Sequence, residues 1–250
     1  MTGLEILSFF LVSALGAAIN SVAGGGTFLT FPVFILNGLT ASQANIMSTI
    51  ALWPGVLSSA YGYRGQMQLG RHLLPYALIG VGGGTAGALW FLATPEATFA
   101  RLVPWLLLAA TCIFTFGRGL MRRMNPARFS PRLRTGFAVG LQITIGIYGG
   151  YFGAGIGILT LAMLQLLGHD DIHRMNALKT VLTAAVNLAT VVVFICSGSV
   201  LWGHAAIMVA GAVCGGYAGA RLALRASPKH VRWLVSAIGF SMTAYFFLHG

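Results

Sequence analysis

Long apolar runs fill most of the chain, and glycine-rich stretches interrupt two of them. A helix needs about 20 apolar residues to cross a membrane. Runs that suit full spans lie at 44–63, 72–92, 102–116, 177–195, 203–224 and 231–248. Shorter apolar segments lie at 4–18, 28–36, 135–147 and 158–167, on either side of the interruptions. This pattern predicts an all-α polytopic membrane protein with about eight to ten transmembrane segments.

The interruptions are Asn20-Ser21-Val22-Ala23-Gly24-Gly25-Gly26-Thr27 and Gly149-Gly150-Tyr151-Phe152-Gly153-Ala154-Gly155-Ile156-Gly157. Each glycine disfavours a helix by roughly 1 kcal/mol relative to alanine, so we expect the helices to break there. Non-helical backbone at membrane depth persists only where it is buried in protein or lines a wet cavity. Paired breaks in two halves of a membrane protein point to the binding site of a transporter.

The two halves of the chain resemble each other around these breaks. Residues 23–26 align with 154–157, residues 45–49 with 176–180, and residues 83–88 with 215–220. Each half holds five predicted elements, and an odd number implies that the repeats are inverted in the membrane. We therefore divide the chain into a first repeat (1–117), a basic cytoplasmic linker (118–134) and a second repeat (135–250). The small residues of the third matched pair favour close helix packing, inside one chain or in a homodimer.

Charge supports a membrane location and predicts the topology. Only 8% of the residues are charged, against about 25% in soluble domains. The 15 basic residues outnumber the 4 acidic ones, but their positions follow the positive-inside rule, so the excess does not indicate nucleic-acid binding. A cytoplasmic linker leaves only Arg101 on the outer side and places both termini outside, in a bacterial inner membrane. Apart from Lys179, which lies within an apolar run, the other basic residues outside the linker then face the cytoplasm: Arg64, Arg71, Arg174, Arg221, Arg225, Lys229 and Arg232.

Lys179 is the residue that most suggests chemistry. It lies inside an apolar run, three positions after Asn176. A lysine within the membrane is expensive and faces a cavity or a partner, so its default interpretation is functional. One interpretation is that Lys179 binds an anion between the two breaks. The other is that it extends to the cytoplasmic surface and pairs with Asp170 or Asp171.

Neutral polar groups near the breaks complete the candidate anion site. Their side chains suit hydrogen bonds to oxyanion oxygens, although any one of them is equally suited to capping or bridging helices. Backbone N–H groups of the glycines, close to helix N-termini, also favour an anion. The candidate side chains are Asn20, Ser21, Thr27, Asn45, Ser48, Thr49, Asn176, Lys179 and Thr180, and the glycines are Gly24, Gly25, Gly26, Gly153, Gly155 and Gly157.

Other chemistry finds little support in the sequence. Residues 169–173 hold two histidines and two aspartates, but a solvated loop explains them better than a metal site. No phosphate-binding loop and no nucleophile elbow occur, so we predict neither an enzyme nor a bound cofactor. The three cysteines lie in apolar runs and suggest no metal or disulfide.

In its order of motifs the chain resembles the sulfite exporter TauE/SafE family. The resemblance rests on the break at residues 20–26, its repetition at 153–157 after a central basic loop, and the stretch Asn176-Ala177-Leu178-Lys179-Thr180. It covers nearly the whole chain. The resemblance implies a transporter of sulfur-containing or organic anions such as sulfite, sulfonates or sulfoacetate.

Together these observations predict a secondary transporter that moves a small anion by alternating access. Proton coupling is one way to drive uptake of an anion against an inside-negative potential, whereas export needs none. Two alternatives stay open: an anion channel that uses the breaks as a filter, and a membrane-embedded accessory protein without flux. The sequence leaves the identity of the anion and the direction of transport undetermined.

Overall fold

The computed structural model describes residues 3–67, 70, 73–123, 130–169, 171–224 and 228–249, without the side chains of 118, 120–123, 228–230 and 249. These ranges form ten α-helices and one 3₁₀ turn (Arg64–Gln66), and they contain no strand. The helices are α1 (Gly3–Ala23), α2 (Thr27–Leu36), α3 (Ala41–Gly62), α4 (Leu74–Ala93), α5 (Glu96–Arg123), α6 (Pro131–Tyr151), α7 (Ile156–Leu166), α8 (Ile172–Cys196), α9 (Trp202–Ala223) and α10 (Pro228–His249).

The predicted all-α membrane fold is confirmed. Within the described residues, six helices are long and apolar enough to cross a membrane, namely α1, α4, α5, α8, α9 and α10. Helices α2 and α7 have 10 and 11 residues, about half of the length that a span requires. They are the short segments that follow the two breaks, as the apolar pattern predicts.

The breaks are shorter than the sequence suggests. α1 continues past its predicted end at residue 18 to Ala23, and α6 continues past residue 147 to Tyr151. Gly149 and Gly150 are therefore helical, contrary to our prediction. The reason is packing: a Cβ on Gly150 would collide with the backbone of Gly84 in α4, so glycine at this position lets α6 lie close to α4.

Helices extend into both ends of the predicted linker. α5 extends to Arg123, and α6 begins at Pro131, where the Ser130 hydroxyl accepts a hydrogen bond from the Leu133 N–H at 3.3 Å. Both ends of the segment 118–134 are thus helical, since a serine cap followed by proline stabilises a helix start even in a polar stretch. Residues 124–129 lie outside the described ranges, as do Arg71, Asp170 and Arg225 and the side chain of Lys229.

Helix packing follows the same plan in both halves of the chain. When α1–α5 are matched in order with α6–α10, the contact of α1 with α9 corresponds to that of α6 with α4. The contact of α3 with α9 corresponds in the same way to that of α8 with α4. The fourth helix of each half therefore packs mainly against the other half, so the halves interlock. Their opposite orientation in the membrane stays a prediction.

Glycines at equivalent positions allow this interlocking. A Cβ on Gly84 of α4 would lie 2.5 Å from the carbonyl oxygen of Val186 in α8. A Cβ on Gly216 of α9 would collide with the carbonyl oxygen of Gly55 in α3. The matched stretches 83–88 and 215–220 thus permit close packing of helices inside one chain. Close helix packing is the role that we predicted for their small residues.

We expect Gly84→Ala to destabilise the protein, because the added methyl group would press against the Val186 carbonyl. Overpacking of this kind lowers the free energy of unfolding by about 1–3 kcal/mol. Gly82→Ala on the same helix is the control, since a Cβ there meets nothing within 4 Å. The thermal midpoints of the purified variants in detergent provide the measurement. Equal midpoints for the two variants would contradict the packing described here.

Candidate functional site

The two breaks lie directly against each other at the centre of the helix bundle. Gly24 has a φ of +81°, a conformation that favours glycine, and it ends α1. A Cβ on Gly24 would lie 2.6 Å from the Cα of Gly157, and a Cβ on Gly157 would lie 2.5 Å from the Cα of Gly24. Backbone therefore packs on backbone here, and neither position has room for a side chain.

Side chains from the opposite half cap the helices that end at the breaks. The Lys179 ammonium of α8 donates hydrogen bonds to the carbonyl oxygens of Asn20 at 3.0 Å and Ser21 at 2.9 Å, in the last turn of α1. The Asn45 amide of α3 donates to the carbonyl oxygen of Tyr151, the last residue of α6, at 3.0 Å. Asn20 and Tyr151 are equivalent in the sequence alignment of the halves. Carbonyl groups at the negative ends of both broken helices thus accept hydrogen bonds from side chains of the protein.

Lys179 points into the protein and away from its surface. Lys179 is only 2% exposed, and its ammonium contacts the carbonyl groups of α1. The interpretation that this side chain extends to the cytoplasmic surface is therefore wrong. Of its two proposed partners, Asp171 instead accepts a hydrogen bond from the His173 N–H at 2.9 Å and caps the start of α8.

The positive ends of the short helices face a small polar cavity, which we call the asparagine cavity. Thr27 is the first residue of α2 and Ile156 is the first residue of α7, and both line it. The volume of the cavity is about 20 Å³, enough for about one water molecule. Its full lining is Asn20, Thr27, Thr49, Leu52, Phe152, Gly153, Ile156, Thr183 and Asn187.

A second cavity, the lysine cavity, lies next to it along the interface of α3 and α8. Its volume is about 10 Å³. Asn20 and Thr183 line both cavities, so they form the partition between them. The lysine cavity is lined by Asn20, Ser21, Val56, Ser59, Gly157, Lys179, Thr180 and Thr183.

The structure brings eight of the predicted site residues to these two cavities: Asn20, Ser21, Thr27, Thr49, Gly153, Gly157, Lys179 and Thr180. The other seven lie outside both linings: Gly24, Gly25, Gly26, Asn45, Ser48, Gly155 and Asn176. Among these, Gly25 packs against Phe114 of α5 and Val235 of α10, and Gly26 packs against Gly16 of α1. Gly25 and Gly26 thus serve packing around the breaks.

Several buried polar oxygens around the breaks have no hydrogen-bond partner within the described residues. They are the hydroxyls of Ser21 and Ser48 and the side-chain carbonyls of Asn45 and Asn176. Unpaired buried polar groups are rare in proteins and call for an explanation such as a bound ligand or a second conformation. All four residues belong to the site predicted from the sequence.

Sequence reasoning missed Thr183, Asn187 and Ser59. A signal was present for two of them, because Thr183 and Asn187 follow Lys179 at intervals of four residues. This spacing places all three side chains on one face of a helix. Ser59 carried no such signal, since only the packing of α3 against α8 brings it to the lysine cavity.

We expect Asn45→Ala and Ser48→Ala to differ in stability, although both residues are 1% exposed on the same helix. Asn45→Ala removes the donor of the Tyr151 carbonyl and lowers the free energy of unfolding by about 1–3 kcal/mol. Ser48→Ala removes a hydroxyl without a partner and leaves stability unchanged or raised. Thermal midpoints in detergent test this difference, and a larger loss in Ser48→Ala would contradict the hydrogen bonding described.

Comparison with known proteins agrees with this architecture. The family described as "Sulfite exporter TauE/SafE" matches residues 9–246. A "Probable membrane transporter protein" of Haemophilus influenzae is 29% identical over 97% of this chain and 94% of its own length. The "Probable membrane transporter protein YfcA" of Escherichia coli K12 is 26% identical over 94% of this chain and 87% of its own length. No solved structure matches the chain.

The family match extends from α1 to α10 and includes both breaks and Lys179. The described residues form ten helices, two of which are short and follow glycine breaks, and relatives named as probable membrane transporters match nearly the whole chain. This chain belongs to the TauE/SafE family of membrane transporters.

Proposed function

We propose that the protein is a secondary transporter that moves a small sulfur-containing or organic oxyanion across the cytoplasmic membrane by alternating access. The observation that carries this proposal is the polarity of the two breaks. The positive ends of α2 and α7 border one cavity, while the negative ends of α1 and α6 are bound by Lys179 and Asn45. Such an arrangement favours an anion over a cation.

The charges in and around the cavities also favour an anion over a cation as the substrate. Lys179 lines the lysine cavity, and none of the three acidic residues that the structure describes, Glu5, Glu96 and Asp171, lines either cavity. In a low-dielectric interior a single fixed charge acts over several ångströms with little screening. The asparagine cavity adds the amide of Asn187 and the hydroxyl of Thr27, groups that donate hydrogen bonds to oxyanion oxygens.

The size of the cavities supports a mechanism with moving helices. Each cavity has room for about one water molecule, and an oxyanion with several oxygens needs more space. Binding therefore requires α3 and α8 to separate or the ends of α1 and α6 to shift. The partition of Asn20 and Thr183 between the cavities is the barrier that alternating access would open from one side at a time.

Lys179 links ion binding to this movement in the proposed mechanism. In the closed structure its ammonium is held by the carbonyl groups of α1. An anion that reaches the lysine cavity competes with these carbonyls for the ammonium. Because Asn20 also belongs to the partition, release of its carbonyl frees the end of α1 to move. The binding energy of the anion would then favour the open conformation.

Transport in proteoliposomes tests the proposal. Sulfite, sulfoacetate, a short alkyl sulfonate, sulfate and a short carboxylate are compared as substrates, with and without a pH gradient to detect proton coupling. We expect saturable flux of a sulfur oxyanion in the native protein and at least a 100-fold loss in Lys179→Met. Arg101→Met, which removes an exposed cation, is the control.

Each other outcome has a definite meaning. Flux that rises without saturation would show a channel, and the absence of flux for every anion would favour an accessory protein. Undiminished saturable flux in a correctly folded Lys179→Met variant would show a carrier whose site does not depend on this lysine. Thermal midpoints and gel filtration verify folding before each comparison.

We further expect Asn187→Leu to raise the KM of the transported anion at least tenfold, because a hydrogen bond to a charged group contributes about 1.5–3 kcal/mol. Gln165→Leu makes the same chemical change at the end of α7, outside both cavities, and retains the native KM. Flux measured against anion concentration gives KM. A native KM in Asn187→Leu would place the anion elsewhere.

A further inference from the structure

Two arginines and two tyrosines form an exposed cluster where α3 and α9 end. We call Tyr61, Arg64, Tyr217 and Arg221 the arginine–tyrosine patch. The two tyrosine rings lie 6.1 Å apart between their centroids. Gly62 permits α9 to approach α3 here, because a Cβ on Gly62 would lie 2.6 Å from the Cβ of Ala220 in α9.

Both guanidinium groups lie close to the Tyr217 hydroxyl. Arg64 lies over the Tyr61 ring at 4.1 Å, and Arg221 lies over the Tyr217 ring at 5.5 Å. The Arg221 Nε donates a hydrogen bond to the Tyr217 hydroxyl at 3.3 Å, and Arg64 also interacts with this hydroxyl. Stacking on aromatic rings holds each guanidinium in place and leaves other N–H donors of the fork available.

No carboxylate balances these two charges in the described part of the chain. Glu5 and Glu96 lie in the first turns of α1 and α5, and Asp171 caps the start of α8. Neither Arg64 nor Arg221 forms an ion pair there. Two like charges that converge without a counter-charge repel each other, and an anion between them would relieve the repulsion.

Exposed apolar side chains of α3 and α9 adjoin the patch. Leu57 lies one turn before Tyr61 on α3 and is 44% exposed. Val213 lies one turn before Tyr217 on α9 and is 39% exposed. An apolar surface that leads toward a pair of arginines suits a molecule with a hydrocarbon chain and an anionic head group. A free inorganic anion would use only the arginines.

We propose that the arginine–tyrosine patch binds the phosphate head group of an anionic phospholipid, whose acyl chain lies along Leu57 and Val213. Bidentate arginine–phosphate hydrogen bonds recognise the head group. Tyrosine rings at the ends of spans match the position of lipid head groups. The predicted topology places this end of α3 and α9 at the cytoplasmic leaflet, where anionic lipids attract basic side chains.

Lipid binding to the purified full-length protein tests this proposal. Native mass spectrometry counts bound phosphatidylglycerol and phosphatidylcholine, and thermal midpoints are recorded with each lipid. We expect phosphatidylglycerol to bind preferentially and to raise the midpoint. We expect the Arg64→Ala/Arg221→Ala double variant to bind phosphatidylglycerol roughly 30-fold more weakly. This figure counts the usual contribution of one basic side chain to binding at an anionic surface once for each arginine removed. The double variant Arg132→Ala/Arg134→Ala, which removes two arginines at the start of α6, is the matched control.

Three results would overturn the proposal: equal binding of the two lipids, undiminished phosphatidylglycerol binding in Arg64→Ala/Arg221→Ala, or an equal loss in the control. Stabilisation by inorganic phosphate as strong as that by phosphatidylglycerol would overturn the assignment to a lipid. If the alanine variant does not fold, Arg64→Gln with Arg221→Gln removes the charges and keeps much of the side-chain packing. Loss of head-group preference in that variant supports the proposal, and retention overturns it.

Discussion

The contact between Gly24 and Gly157 is the constraint on which the rest of the structure depends. It brings two interrupted helices together at the centre of a membrane protein, where water does not satisfy free backbone groups. The ends of these helices must therefore find partners inside the protein. Lys179 and Asn45 meet this need from the third helix of the opposite half, and this explains why polar residues of α3 and α8 lie deep in the bundle.

The two halves share a backbone plan but differ in charge. Asn20 and Tyr151 occupy equivalent positions, and a donor from the other half binds the carbonyl of each. In one case the donor is a neutral amide, and in the other it is an ammonium that also reaches Ser21. The equivalent of Lys179 in the first half is Ser48, whose buried hydroxyl has no partner within the described residues. At these equivalent positions, one half therefore carries a fixed positive charge and the other does not.

Interlocking of the halves connects this centre to the periphery of the protein. α4 packs against α6 and α8, while α9 packs against α1 and α3. Each broken helix thus lies against a fourth helix from the other half, with Gly87 of α4 against Ile147 of α6 and Gly215 of α9 against Ala14 of α1. A movement of the end of α1 would therefore displace α9, because a contact between backbones has no flexible side chains to absorb it. The proposed alternating access would use this coupling.

Pattern and composition determined the fold class and the two breaks, because apolar runs of membrane length and consecutive glycines have strong local consequences. The family was indicated by the resemblance of its motifs to residues 20–26, 153–157 and 176–180. Pattern and composition also singled out Lys179, since a charge within an apolar run is rare at any depth of a membrane. Local signals were less reliable for helix ends. Gly149 and Gly150 oppose a helix when taken alone, yet close packing on α4 keeps them in α6.

Only the tertiary structure decided what these residues contact. The sequence left open whether Lys179 reaches the surface or the interior, because a long flexible side chain can do either. The approach of α8 to the end of α1 resolved the question in favour of the carbonyls of Asn20 and Ser21. The same packing brought Ser59 and Asn187 to the cavities and left Ser48 and Asn176 outside them. Contacts between residues more than a hundred positions apart depend on the folded chain, and a single sequence carries no direct signal for them.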